Sequence, residues 1–187
     1  MTDAPRPPAQ NPRSAPPADF ELNLERRLAA ITADADGNML ERSMATLLRL
    51  VREQLQLEAV FVGEVVDGHR IFRFIDAARE PSLIERGQSH PMEQTVCQRI
   101  LDGRIPALVG DLRAVRVAQG LSPMHDVLGA HVGVPVRFSD GRLYGMLCGF
   151  CFDARGDLDE RDLRRLEIAA RAAARLLAHA DGVMPPV

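Results

Sequence analysis

At 187 residues the chain has room for one domain with a substantial core, and too little for two comfortable ones. A net charge of -3 gives no electrostatic case for nucleic acid or an acidic membrane as partner. All 23 basic residues are arginine, which removes every Schiff-base mechanism and every phosphate-loop lysine; no apolar run nears the ~20 residues of a membrane span, so a soluble, cytoplasmic protein is expected.

Met1 to Asp19 holds six prolines among small and polar residues and lacks the apolar core of a signal segment, so it reads as a disordered tail. Residues 182–187 read as a flexible end, leaving one domain over 20–181. Phe20, Leu24, Leu28 and Ile31 fall at helical spacing. After a turn at Asp34–Asn38, a longer amphipathic run carries Leu40, Met44, Leu47, Leu48, Val51 and Leu55, with Asn38 and Glu41 as a capping-box variant at its start. Ala59–Val66 and Arg70–Asp76 flank Asp67-Gly68 and read as a hairpin. Glu93–Leu101 reads as a short helix with Val96, Ile100 and Cys97 on its apolar side, Pro106–Val109 as a short strand, and Leu112–Gln119 as a second short helix. Three cysteines at scattered spacings argue against a disulfide framework.

The stretch Leu128–Phe152 is the most informative. Ala130, Val132, Val134, Val136 and Phe138 alternate with His131, Gly133, Pro135 and Arg137, the period of a strand with one apolar face. Pairing through a two-residue Asp140-Gly141 turn sets Phe138 opposite Leu143 and Val134 opposite Leu147. On the other face it sets Pro135 opposite Met146, Gly133 opposite Cys148 and His131 opposite Phe150. That face mixes imidazole, thiol, thioether and aromatic groups. Asp157 with Glu160 opens a last helix whose Leu163, Leu166, Ala169, Ala170, Ala173 and Leu176 form a stripe suited to close helix approach. The element order is that of an α+β fold with an antiparallel sheet.

This order, with GVPVRFSDGRLYGMLCGF, the helix opening DLDERDLRRLEIAA and the stretch CQRILDGRIPALVGD, resembles a GAF domain, a small-molecule sensor module of bacterial signalling. The resemblance spans roughly Leu22–Ala180 and is similar in detail to GAF domains of sensor kinases and cyclic-di-GMP phosphodiesterases, here with no output domain expected beside it. It implies a central antiparallel sheet with the terminal helices on one face and a ligand pocket, built with short helices, on the other. It also implies a homodimer through the Leu22–Ile31 and Leu163–Leu177 helices. In GAF-type free methionine-R-sulfoxide reductases, acidic substrate-binding groups occupy the positions matching His131, Cys148 and Phe150, and a catalytic-region cysteine matches Cys97. This chain has no acid at those three positions and no cysteine in the Leu121–Leu128 loop.

The resemblance thus places His131, Met146, Cys148 and Phe150 on the pocket face, Cys97 looking in from its helix, Tyr144 at the rim, and His90 and His125 in the segments that close the pocket. Cys148-Gly149-Phe150-Cys151 has CxxC spacing, but residues three apart in a strand point to opposite faces, so buried apolar thiols are the simpler reading. Cys97, His131 and Cys148 are chemically sharper: converging thiol and imidazole groups can hold zinc or haem iron, or poise a thiolate beside a base. Packing accounts for them as well, so no metal is assigned and the cofactor is left unknown. Arg99, Arg113 and Arg116 can clamp a carboxylate or phosphate, or simply make a solvated face.

The reading is a stand-alone sensor or regulatory domain that binds a small molecule and signals through a dimeric helix bundle to a separate output protein, with no catalytic residue assigned. The alternatives are a thiol reductase of the free methionine sulfoxide type, with Cys97 attacking and Cys148 resolving, and a ligand-free dimerisation module.

Overall fold

The computed structural model describes residues 12–32, 39–80 and 82–180. The chain runs α1 (Pro17–Thr32), α2 (Met39–Leu55), β1 (Ala59–Val66), β2 (His69–Ala77), β3 (Ser89–Pro91), α3 (Val96–Leu101), β4 (Leu108–Val109), β5 (Ala130–Arg137), β6 (Leu143–Cys151) and α4 (Glu160–Ala180). The strands form one antiparallel sheet in the order β3-β2-β1-β6-β5-β4. The expected α+β architecture is what the chain adopts.

Strand alternation divides the core into two layers. Val60, Val62, Val132, Val134, Val136, Leu147 and Cys151 meet α1, α2 and α4 on one face. Phe61, Phe72, Met146, Cys148 and Phe150 meet α3 and the loops on the other. Most of the α4 stripe is buried within the chain: Leu166, Ala169, Ala170 and Ala173 are buried and Leu163 and Leu176 half-buried, and the exposed row is Arg164, Glu167, Arg171 and Arg175. The small side chains allow α4 to lie close on β5 and against α2 and α1.

Several expectations need correction. The proline-rich stretch is in place from Pro12 onward: Pro12–Ser14 form a 3-10 turn, α1 begins at Pro17, and Arg13 pairs with Asp157 and Asp162. Its earlier part, the Asp34–Asn38 turn, the Asn38 cap and residues 182–187 fall outside the described residues. The cap of α4 is Asp159, whose carboxylate accepts from the Arg161 and Asp162 amides at 2.8 and 3.2 Å while Asp162 accepts from the Asp159 amide. Asp157 instead faces Arg155 at 2.7 Å. Of the helix expected over Leu112–Gln119, only Leu112–Ala114 is helical, as one 3-10 turn. β3, which the sequence does not announce, pairs with β2.

The β5–β6 register holds at Val134↔Leu147, Pro135↔Met146, Gly133↔Cys148 and His131↔Phe150, but not at the turn. The loop has three residues, Ser139-Asp140-Gly141, with Gly141 at φ 85° and the Phe138 amide donating to the Arg142 carbonyl at 2.9 Å. Arg137 therefore faces Leu143, and Tyr144 is a bulge that restores the register one step on. A second bulge acts on β2: Val62 pairs with Phe74 and Gly63 with Phe72, leaving Arg73 unopposed. Phe72 and Phe74, two residues apart, consequently enter different core layers.

Candidate functional site

A cavity of about 260 Å³ opens on the sheet face away from the long helices. Its floor is Phe61, Phe72, His131 and Phe150; its wall includes Arg70, His90 and Val96, and Leu83, Met124 and His125 bring the loops over it. Strand parity delivers Phe61, His131 and Phe150 to this face, and the Arg73 bulge delivers Arg70 and Phe72.

Arg70 is the group the sequence reading missed. It is 5% exposed and has no carboxylate partner among the described residues. Its guanidinium lies 4.3 Å from the Phe72 ring centroid and 5.4 Å from that of Phe61. Nη2 is 3.1 Å from His90 Nδ1, Nη1 is 3.7 Å from Cys97 Sγ, and Nε has no hydrogen-bond partner. Gly63 makes room for it: a Cβ there would stand 2.8 Å from Arg70 Cγ. The one hint was a basic residue in a strand otherwise rich in apolar side chains, and which face it takes depends on the bulge.

Three histidines surround this cation in neutral form. Burial first, then the Arg70 charge, lowers the pKa of His90. Burial takes His125 down to about 4 and His131 to about 3. With Arg70 donating to it, His90 Nδ1 is the acceptor and Nε2 carries the proton; His125 Nδ1 stands 3.2 Å from the Ser122 carbonyl and so is the donor there. His131 Nδ1 is buried without a partner.

Beneath the floor, Cys97 on α3 and Cys148 on β6 bring their sulfurs to 3.5 Å, both fully buried. The ligand atoms of Cys97, Cys148 and His131 all lie within 4.8 Å of one another. Thr95 fixes α3 for this, its Oγ1 accepting from the Gln98 amide at 3.2 Å and donating to the Met92 carbonyl at 2.8 Å. The hydrogen bond from Cys148, then the Arg70 charge, hold the Cys97 thiol below its usual range, and burial pushes Cys148 above it.

The structure thus gathers Cys97, His131, Cys148, Phe150, His90 and His125 at one place, with Met146 buried in the same layer. Tyr144 is a correction: its bulge turns the ring toward the helix-side core, edge-on to Phe138 with centroids 5.9 Å apart, and it does not line the cavity. Cys151 lies on that same side, its sulfur 3.7 Å from the Gln56 carbonyl, so the CxxC pair is split across the sheet. Arg99 is buried as a staple, donating to the Glu93, Thr95, Gln119 and Gly120 carbonyls, while Arg113 and Arg116 pair with Asp111 and Asp126.

The GAF domain family matches residues 40–178. No curated protein matches the sequence. Among solved structures, the GAF domain of an Acinetobacter phosphoenolpyruvate-protein phosphotransferase superposes with a TM-score of 0.67 at 14% identity, covering 91% of this chain and 97% of that one. A free methionine-R-sulfoxide reductase from Neisseria meningitidis, solved with its substrate, gives 0.63 at 17% identity, covering 90% and 93%. The phycoerythrobilin-bound GAF domain of a cyanobacterial phytochrome gives 0.63 at 14%, covering 90% and 97%. At such identities these structures share the fold and nothing finer follows from them. With its antiparallel sheet, its helices on one face and its cavity on the other, this chain belongs to the GAF domain family.

Proposed function

We propose that the chain is a sensor or regulatory domain whose ligand is a small organic anion with a flat or apolar body. The observation that carries this is Arg70, a buried cation that lines the cavity without a carboxylate of its own. Burying an unpaired charge costs several kcal/mol, roughly, and an anionic ligand would offset it with charge-assisted hydrogen bonds. Phe61, Phe72 and Phe150 supply the apolar contact, and among the described residues none that lines the cavity is acidic. A volume of about 260 Å³ suits a modest metabolite.

Signal transfer follows the sheet. β6 alternates cavity-side Cys148 and Phe150 with helix-side Leu147 and Cys151, so a ligand that shifts β6 moves the surface on which α4 packs. A ligand does this only if it binds the two arrangements unequally. A homodimer on the outer faces of α1 and α4 is the expected reader of that shift, and a separate output protein the expected receiver.

The thiol-reductase reading has one observation in its favour, the 3.5 Å approach of Cys97 and Cys148. It ranks second because both sulfurs lie under the floor at 0% exposure and the cavity offers an amino acid's ammonium no carboxylate. Native mass spectrometry of freshly purified protein, then thermal shift with matched carboxylates, phosphates and their neutral amides, tests the proposal. Anions should raise Tm and the amides should not; equal effects would overturn it. Turnover of methionine sulfoxide abolished by Cys97→Ser would promote the second reading.

A further inference from the structure

We propose that Cys97, Cys148 and His131 form a zinc site beneath the cavity floor, with two thiolates and one imidazole as ligands and a fourth position turned toward the cavity. The inference does not rest on the anion-binding reading: its ligands are two thiols beneath the cavity and the imidazole of its floor, and Arg70 is not one of them.

The donor set is the one zinc takes, sulfur and imidazole nitrogen from three separate elements, α3, β5 and β6. Two sulfurs bound at ~2.3 Å in a tetrahedral shell stand about 3.8 Å apart. The Cys97 and Cys148 sulfurs are 3.5 Å apart, so an ion needs only a slight spreading of the pair. The imidazole ligand atom is within 4.8 Å of both sulfurs.

Two further observations point into the same space. His131 is 2% exposed, and its Nδ1 has no hydrogen-bond partner, an arrangement that is costly for a buried imidazole and is relieved when that nitrogen takes a metal ion. Gly133, directly opposite Cys148, keeps the space open: a Cβ there would stand 2.8 Å from Cys148 Sγ and 3.1 Å from His131 Cε1. Arg70 completes the surroundings, its Nη1 3.7 Å from Cys97 Sγ, where it would donate to a metal-bound thiolate from outside the coordination shell. On binding, each thiol releases one proton to solvent and the imidazole binds through a lone pair, so Zn2+ and two thiolates leave no net charge in the buried site. His131 also lines the cavity, which puts the open position on that side.

The test uses the full chain, purified with reductant, stripped by a chelator and titrated with Zn2+ against a chromophoric competitor. One equivalent should bind with a sub-micromolar dissociation constant. Cys97→Ser, Cys148→Ser and His131→Phe should each weaken it by more than about 100-fold, while Cys151→Ser, on the other side of the sheet, should not change it. Since a core variant can fail to fold, Co2+ substitution of the unaltered protein gives an independent reading: intense tetrahedral ligand-field bands with thiolate-to-metal charge transfer. A Co2+ spectrum without charge transfer, no Zn2+ retained at micromolar concentration, or unchanged affinity in folded Cys148→Ser would each overturn the proposal.

Discussion

Arg70 lies with its guanidinium 4.3 Å from the centroid of the Phe72 ring, and among the described residues no carboxylate pairs with it. Such stacking is worth about 0.5–2 kcal/mol, less than the several kcal/mol that burying an ion costs. The residue is therefore expensive to the fold and should be dispensable for it. Arg70→Met, similar in volume and apolar, should leave stability unchanged or raise it by about 1 kcal/mol in urea denaturation, while removing the Tm increase produced by anions. A loss above about 2 kcal/mol would show that the guanidinium serves packing instead.

The neutral histidines set the acid limit of the fold. His125 and His131 titrate in the folded protein at about 4 and about 3, against roughly 6.5 in an unfolded chain. The unfolded state therefore binds more protons below about pH 6.5, and stability falls as pH falls. Stability is fully present above that value and is lost with a slope approaching about 1.4 kcal/mol per pH unit for each histidine. Carboxylates held low, such as Asp157 beside Arg155, add to the loss only at more acid pH. Urea midpoints of chelator-treated protein between pH 7 and 5 should show this slope, to which His90, also held low, adds, and His125→Asn should remove one histidine's share of it. A flat profile would mean that both rings take up protons as readily in the fold as in the unfolded chain.

The layers were legible in the sequence because strand parity is rigid: Val134 and Leu147, His131 and Phe150 meet as alternation requires. Bulges are where that rule fails, since one unpaired residue flips everything beyond it and leaves no compositional mark. Tyr144 left the expected rim for this reason, and Arg70 with Phe72 joined the cavity for the same one. His90 and Arg70 face each other only because β3 adds to the sheet edge, a pairing between distant segments that no local pattern announces. The resemblance located the pocket; the loops that cover it had to be seen.

Gly133 offers a test of how tightly the sulfur pair is packed. An added methyl would meet Cys148 Sγ at 2.8 Å, His131 Cε1 at 3.1 Å and Ile100 Cδ1 at 3.2 Å, three contacts from three elements, none an exposed flexible tip. Overpacking of this kind costs about 1–3 kcal/mol. Gly133→Ala should lose that much in urea denaturation and should also weaken Zn2+ binding, because the added methyl would press on the Cys148 sulfur and the His131 ring. A variant as stable as the parent, with Zn2+ affinity intact, would show that the Cys97–Cys148 layer is loose.

Far from the cavity, Asp162 and Arg165 form a buried pair at 2.9 Å, each 1% exposed. Asp162 also accepts from the Asp159 amide at the start of α4 and from Arg13, while Arg165 donates to the Arg13 and Ala15 carbonyls. One carboxylate thus joins the helix cap to the segment that leads into α1. Removing it leaves Arg165 buried and uncompensated, so Asp162→Ala should cost about 3–5 kcal/mol. Arg104, whose pair with Asp102 is 45% and 38% exposed, is the contrast: Arg104→Ala should change stability by less than about 1 kcal/mol. Both are read from urea midpoints at constant m, with proteolysis near residues 13–16 as a local probe. Equal losses in the two variants would mean that the buried pair does no more for the fold than a surface one; faster cleavage in Asp162→Ala alone would trace its cost to release of the segment before α1.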